Sequence, residues 1–405
     1  MGIMRTALEG KNIVLGVTGS IAAYKALDAA SKLTQAGALV DVILTASAEK
    51  FITRLSFQSI THRQVYSDLF DSSSDLAIHH VALAERADLI AIYPATANTL
   101  AKLAHGIADD TLCTTVLASR APLLVAPAMD GYMYNNPATQ ANINLLEQRD
   151  IHIIGPSSGH LASGLTGTGR LVEPTALIEE IKVILGRQGD LTHLSIVVSA
   201  GGTQEPIDPV RVITNHSSGK MGYAIAEAAR DRGAKVTLVT ASKGIPDPSV
   251  HAVTKVTTVD EMRNAVLAAC EDANVVIMAA AISDYTPVTV ATQKIKKDTE
   301  SDRMSIEVRK TNDFFLEIPP QVLRVGFAAE SENLVTNAAE KLERKGMALI
   351  VANDITAADS GFNVDTNRVT FVDKTGMSEE LPLLTKYEVG HKILDKVQSL
   401  LHASG

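Results

Sequence analysis

Two glycine-bearing turns in this chain have the make-up of phosphate cradles. Gly16-Val17-Thr18-Gly19-Ser20-Ile21-Ala22-Ala23 leads from an apolar run into a helical pattern, and Ser199-Ala200-Gly201-Gly202-Thr203 closes another apolar run. Glycines let backbone N–H groups approach an anion, and a helix N-terminus favours negative charge. The first turn is neither a Walker A nor a GxGxxG motif, and it reads equally as a tight βα turn with Ser20 as N-cap. In Asn215-His216-Ser217-Ser218-Gly219-Lys220-Met221-Gly222, the Gly-Lys pair invites a P-loop reading. Thr214 stands where Walker A needs Gly, and Met221 where it needs Ser or Thr, so that reading is rejected. The Asn215 carboxamide can hydrogen-bond an acyl phosphate and orient it for attack, or simply cap a helix. Lys294-Ile295-Lys296-Lys297 is either a solvated face or a set of ammonium groups for a triphosphate. Lys341 and Lys345 lie four apart, on one helix face.

These residues need elements to hold them, and short β-rich runs alternating with helical patterns supply them. In the first half, strands are expected at Ile13 to Val17, Val40 to Leu44, Asp88 to Ile92, Leu123 to Ala126 and His152 to Ile154. Helices are expected near Ala22 to Gln35, Ala97 to Ala104, Asn136 to Gln148 and Thr175 to Leu185. The polar stretch Leu185 to Asp190 sets a boundary, giving domains 1–189 and 190–405. The second half repeats the pattern, with strands near Leu194 to Val198, Lys235 to Val239, Ala273 to Met278, Val322 to Gly326 and Ala348 to Val351. Its helices are expected at Met221 to Arg232, Val259 to Ala269, Asn333 to Lys345 and Lys386 to Leu401. Alternation in Met304 to Val308 makes Lys294 to Lys310 a hairpin-like excursion. The expected fold class is α/β: two Rossmann-like or flavodoxin-like three-layer domains with mainly parallel sheets, each offering a site at its strand C-termini.

Composition narrows the function. The chain has 405 residues, 46% of them hydrophobic and 20% charged, too apolar for a disordered protein. A net charge of −9 provides no global basic surface for nucleic acid or anionic lipid. Cys113 and Cys270 lie far apart without metal-ligand spacing, which argues against a disulfide framework or structural zinc. Met1 to Lys11 has no hydrophobic signal core, and Val275 to Ile282 falls far short of the roughly 20 residues needed to span a bilayer. A cytoplasmic protein with no membrane or nucleic-acid partner is expected.

Four segments of the first half together carry a resemblance: the Gly16 to Ala23 turn, Tyr93-Pro94-Ala95-Thr96-Ala97-Asn98-Thr99, Pro127-Ala128-Met129-Asp130-Gly131-Tyr132-Met133-Tyr134, and the run from Gly159 through Ala162-Ser163-Gly164 to Arg170. They resemble the flavin-dependent cysteine decarboxylases, whose signature is Pro-Ala-Met-Asn-x-x-Met followed by an Ala-Cys-Gly loop. The resemblance implies FMN contacts at Gly19, Ser20, Thr45, Pro94, Ala95, Thr96 and Asn98. It also implies substrate contacts at Asp130, Met133 and Arg170, with His80 in the oxidative half-reaction. This sequence departs from the pattern twice. Asp130 replaces Asn, keeping an acceptor but losing the amide donor. Ser163 replaces the Cys that donates the last proton, and a hydroxyl is a far weaker acid than a thiol.

The second half resembles the phosphopantothenate–cysteine ligases through Asn215 to Gly222, Ala279-Ala280-Ala281-Ile282-Ser283-Asp284, Lys294 to Lys297, Phe327-Ala328-Ala329-Glu330 and Ala352-Asn353-Asp354-Ile355. By that resemblance Asn215 handles an acyl-cytidylate and Lys294 the triphosphate. Gly201, Gly202, Thr203, Ala280, Asp284, Phe327, Lys341 and Lys345 bind substrate, and Asp284 meets a Mg²⁺ that triphosphate chemistry implies. The whole chain thus resembles the bifunctional coenzyme A biosynthesis enzymes. The expected substrates are 4′-phosphopantothenate, cysteine and CTP, and the ligated product is then oxidised at its thiol by FMN, decarboxylated and reduced again with no net redox change. Homo-oligomers are implied, trimeric through the N-terminal half and dimeric through the C-terminal half. Two other readings stay open: a working ligase fused to a silent flavin domain, and a regulatory flavoprotein.

Overall fold

The computed structural model describes residues 7–69, 79–160, 164, 166–296, 304–330, 334–354, 364–374 and 376–404. The chain divides into two compact units, Met1–Gly186 and Arg187–Gly405.

The first unit contains β1 (Asn12–Val17), α1 (Tyr24–Gln35), β2 (Leu39–Leu44), α2 (Arg54–Thr61), β3 (Val65–Tyr66), α3 (His79–Arg86), β4 (Leu89–Ala95), α4 (Ala97–His105), α5 (Thr111–Ala118), β5 (Leu123–Pro127), α6 (Gly131–Tyr134), α7 (Pro137–Glu147), β6 (His152–Ile153), β7 (Ser157–His160), β8 (Thr166–Arg170) and α8 (Pro174–Gly186). The main sheet runs β3-β2-β1-β4-β5-β6 with every pairing parallel. Its central strands are mostly apolar on both sides because both faces are covered. Leu15 and Val17 pack with Leu33 of α1 and Ile181 of α8 on one face, while Val14 and Ile92 meet Leu100 of α4 and Leu112 of α5 on the other. Strand order reverses between β1 and β4, which opens a crevice at their C-terminal ends.

The sequence pattern misses α2, α3, α5, α6 and β3. It also leaves Gly159 to Arg170 as a loop, whereas β7 and β8 pair there as an antiparallel hairpin. Glycines and threonines carry no apolar alternation, so the pairing left no trace in hydrophobic periodicity.

The second unit contains β9 (Ser195–Ala200), β10 (Gln204–Pro206), β11 (Val212–Thr214), α9 (Lys220–Asp231), β12 (Lys235–Thr240), β13 (Ala252–Lys255), α10 (Val259–Ala269), β14 (Val275–Met278), β15 (Tyr285–Pro287), β16 (Val308–Lys310), β17 (Leu323–Glu330), α11 (Leu334–Lys345), β18 (Leu349–Asp354), β19 (Thr366–Asn367), β20 (Val369–Asp373), β21 (Ser378–Glu380), β22 (Leu384–Thr385) and α12 (Lys386–Ser404). The sheet order is β13-β12-β9-β14-β17-β18-β20-β21, parallel as far as β18 and antiparallel at the β20 and β21 edge. Helices α9 and α12 cover one face, through Ile225, Ala229, Ile393 and Val397. Helices α10 and α11 cover the other, through Met262, Val266 and Leu342.

One expectation shifts here. The excursion's pairing joins β15 to β16, so most of the alternating run Met304 to Val308 lies outside a strand. The apolar run starting at Val275 leaves the sheet after Met278, because Ala281 turns sideways and exchanges backbone hydrogen bonds with Gly201 and Thr203.

Candidate functional site

In the first unit the β1–α1 turn, the segment after β5 and the β7–β8 hairpin meet around a cavity of about 340 Å³. Ser20, Ile21, Ala22, Tyr24, Lys25, Met129, Asp130, His160, Gly169 and Arg170 are among its lining residues. Thr18 ties the crevice together: its hydroxyl donates to Pro94 O at 2.7 Å and accepts from Thr96 N at 3.1 Å. Ser20 Oγ accepts from Ala22 N at 3.3 Å, so Ser20 does cap the turn while also facing the cavity. Gly169 has φ +144 and lets the hairpin press on the next loop; a Cβ there would sit 2.2 Å from Met129 O. Asp130 caps α6 by accepting from Tyr132 N at 2.9 Å. Asn can make the same cap. Lys25 is buried, and its ammonium donates to Leu171 O at 3.2 Å and pairs with Glu173 at 2.8 Å.

In the second unit a cavity of about 890 Å³ opens at the C-terminal edge of the sheet. Hydrogen bonds lash three of its loops together. Thr214 Oγ1 donates to Thr203 O at 2.8 Å, Ser283 N donates to Thr203 Oγ1 at 2.9 Å, and Asn215 Nδ2 donates to Ile282 O at 3.0 Å. Gly201, at φ +82, passes so close to its neighbour that a Cβ would lie 2.5 Å from Ser242 N. Five lysines line the cavity: Lys220, Lys310, Lys341, Lys345 and Lys386. Lys341 donates to Phe327 O at 3.1 Å. Lys345 pairs with Asp313 at 2.8 Å and lies over the Phe315 ring. Burial would raise the Asp313 carboxyl, but the Lys345 ammonium holds it below its ordinary value. Asn353 Oδ1 is buried with no hydrogen-bond partner among the described residues, an acceptor facing the same space.

This chain is matched by two family models, "Flavoprotein" over residues 1–186 and "DNA/pantothenate metabolism flavoprotein C-terminal domain" over residues 191–401. It is 42% identical to the coenzyme A biosynthesis bifunctional protein CoaBC of Bacillus subtilis over 98% of this chain and 99% of that one. Identity to the Escherichia coli K12 protein of the same name is also 42%, over 96% and 97% of the two chains. The chain belongs to the CoaBC family. It is a bifunctional enzyme of coenzyme A biosynthesis. A crystal structure of a CoaBC C-terminal domain is similar at 38% identity, covering 53% of this chain and 98% of that one, with a TM-score of 0.45.

The residues marked in the sequence divide by position. Ser20, Asp130 and Arg170 share the first cavity; Asn215, Ala280, Asp284, Phe327, Lys341 and Lys345 share the second. Gly19 and Thr45 flank the β1 end, Thr45 N donating to Val17 O, while Pro94, Ala95, Thr96 and Asn98 form the β4 end. His80 lies in the first turn of α3 and Met133 on α6, half exposed; neither lines the first cavity. Gly201, Gly202 and Thr203 stand behind the second cavity as its scaffold rather than in its wall. Lys294 is exposed and outside that wall, on a loop held by Ile295 N donating to Asp208 at 3.1 Å. Ser163 lies outside the described residues.

Sequence reasoning passed over Lys25 and His160 in the first cavity, and Lys310, Asp313 and Lys386 in the second. Lys25 finds its carboxylate 148 positions away, so no local spacing could have signalled the pair.

Proposed function

We propose that residues 190–405 join cysteine to 4′-phosphopantothenate at the expense of CTP, and that residues 1–189 decarboxylate the product to 4′-phosphopantetheine with FMN. The observation that carries the reading is the second cavity, where Asn215 and Asp284 face lysines drawn from several elements. The acceptor carboxylate attacks the α-phosphorus of CTP and pyrophosphate leaves; the cysteine amine then attacks the acyl carbon and CMP leaves. Lys341 and Lys345 offset the triphosphate charge, and Lys294 closes from its loop. Asn215, oriented through Ile282, keeps an N–H for the acyl phosphate. Mg²⁺ commonly binds through one or two carboxylates plus substrate phosphates, and Asp284 fits that sparse donor set.

The first cavity fits a flavin: its volume suits a cofactor-sized ligand, and its wall is a capped βα turn at a strand-order reversal. Ser20, with Gly19 beside it, would hold the phosphate, and Thr96 and Asn98 the other end. FMN, when bound, supplies the reversible two-electron exchange that makes the carbon bearing sulfur an electron sink for loss of carbon dioxide. Arg170 offers its guanidinium to the substrate carboxylate, and Asp130 orders the α6 turn beside it. A homo-oligomer belongs to this reading. The experiment is turnover of 4′-phosphopantothenate, cysteine and CTP with mass analysis. Phosphopantetheine is expected; the uncleaved conjugate alone would favour an active ligase fused to a silent flavin domain, the reading that Ser163 favours. No product would overturn both.

A further inference from the structure

Glu173 takes two cations on one atom. Its Oε1 accepts from Lys25 Nζ at 2.8 Å and from Arg170 Nη2 at 2.9 Å. Lys25 and Arg170 both line the first cavity, whereas Glu173 stands behind them, outside its wall. Two cations that share one oxygen lie close enough to repel, so the carboxylate between them is what lets both sit there. The Lys25 hydrogen bond holds the Glu173 carboxyl below its ordinary value against the opposing effect of burial, which keeps that charge in place. The backbone beneath is pinned from three other elements: Met129 N donates to Gly169 O at 3.0 Å, Lys25 Nζ to Leu171 O at 3.2 Å, and Tyr93 Oη to Val172 O at 2.6 Å. Arg170 runs across Gly159 of β7, where a Cβ would come within 3.3 Å of its Cδ and Nη1. The Arg170 and Glu173 side chains are 46% and 55% exposed, and an ion pair that open adds little to stability. What it does change is direction. An arginine has many rotamers, and with Nη2 on Glu173 the guanidinium is set while its other donors stay available to the cavity.

We propose that Glu173 is a positioning residue of the first cavity: fixed by the buried Lys25, it aims the Arg170 guanidinium at the carboxylate of the cysteinyl substrate without entering the cavity itself. The proposal rests on the reading that Arg170 meets that carboxylate. Lys25, Glu173 and Arg170 together carry a single positive charge, so an arriving anion is still attracted. A guanidinium already set in place gives up less rotamer freedom in gripping a carboxylate, so the loss on removing Glu173 falls on binding rather than on the chemical step.

The test is steady-state decarboxylation of supplied phosphopantothenoylcysteine by the full chain with Glu173→Gln, Arg170→Gln and both together. Glu173→Gln keeps an acceptor for Lys25 but loses the charge, and it should raise KM about tenfold while kcat changes less. Arg170→Gln should raise KM at least as far, and the double variant should match it within about twofold, because Glu173 acts through Arg170. A Glu173 that only supported the fold would instead multiply the two losses. Wild-type KM in Glu173→Gln, multiplied losses in the double variant, or a fall in kcat alone overturns the proposal. Should Glu173→Gln melt far below wild type, Glu173→Asp, which keeps a charge for Lys25 and shortens the reach to Arg170, decides by the same cycle. An unchanged KM in Arg170→Gln would instead sink the reading of Arg170, and a wild type without decarboxylation the reading of the first unit; the proposal falls with either.

Discussion

Asn215 Nδ2 donates to the carbonyl oxygen of Ile282 at 3.0 Å, joining the segment after β11 to the loop after β14 across 67 positions of sequence. The bond orients the carboxamide at the cavity wall. Asn215→Asp puts a carboxylate against that carbonyl, and the side chain turns away. Ligation should fall by about 10² or more, the scale for removing one positioned donor. Decarboxylation of supplied phosphopantothenoylcysteine should be unchanged. Assaying the two half-reactions separately checks this, and equal loss of both would contradict the two-site arrangement.

Asp208 is buried and accepts from Val210 N and Arg211 N at 2.8 Å and from Ile295 N at 3.1 Å, so it anchors the loop that carries Lys294. Burial alone would raise this carboxyl, but the three backbone donors and Arg211 keep it below its usual range. In Asp208→Ala those donors lose their acceptor and the loop loses its hold. Kd for CTP should rise about tenfold, as in Lys294→Gln. Calorimetric titration with CTP measures both; wild-type affinity in Asp208→Ala would remove the anchoring role.

Thr18 bridges Pro94 O and Thr96 N in the buried crevice of the first unit. Thr18→Val keeps the shape but leaves both backbone groups unmatched, at a cost of about 1–3 kcal/mol. The variant should purify with less flavin than wild type and melt several degrees lower. Flavin absorbance per protein and a thermal scan report the two effects, and full flavin content would show that the bridge is dispensable.

Cys113 is the cysteine of the first unit, 3% exposed on α5, its thiol pushed up to about 12 by burial and then by Asp110. Such a thiol stays protonated and packed, as expected of a small apolar residue. Cys113→Ala should cost about 1 kcal/mol of stability and leave phosphopantetheine formation nearly intact. Ser163→Ala should retain part of that activity, with water or Asp130 as the proton source. Mass analysis would refute this if wild type accumulated the oxidised, decarboxylated aminoenethiol.

Lys386 changes stability with pH in a direction opposite to that of a paired cation. Its folded value is lowered from 10.5 to about 8, so between those pH values the unfolded chain binds more protons and stability rises with pH. Below about pH 8 the full penalty, at most about 3 kcal/mol, is present. Lys386→Met removes it. The melting temperature of Lys386→Met minus that of wild type should therefore be larger at neutral pH than at pH near 10, whatever the lost bond to Val364 costs. A constant difference would place Lys386 in a more solvated environment.

The sequence by itself determined the repeated βα order, because apolar periodicity is local: Ile13 to Val17 and Lys235 to Val239 carry their burial in their own residue types. It also determined the family, since Asn215 to Gly222 and Pro127 to Tyr134 are contiguous motifs that survive without a fold. Only the tertiary structure decided which of those residues share a wall. Strand order, set by packing on both sheet faces, brings Ser20 to Asp130 and Asn215 to Lys341 while leaving Gly201 to Thr203 behind the site. It also places Lys386, which reads as an ordinary helix start, at the edge of the cavity: α12 packs beside α9, and that contact depends on two apolar faces about 168 residues apart, as Ile225 is from Ile393, a distance over which no sequence period carries information.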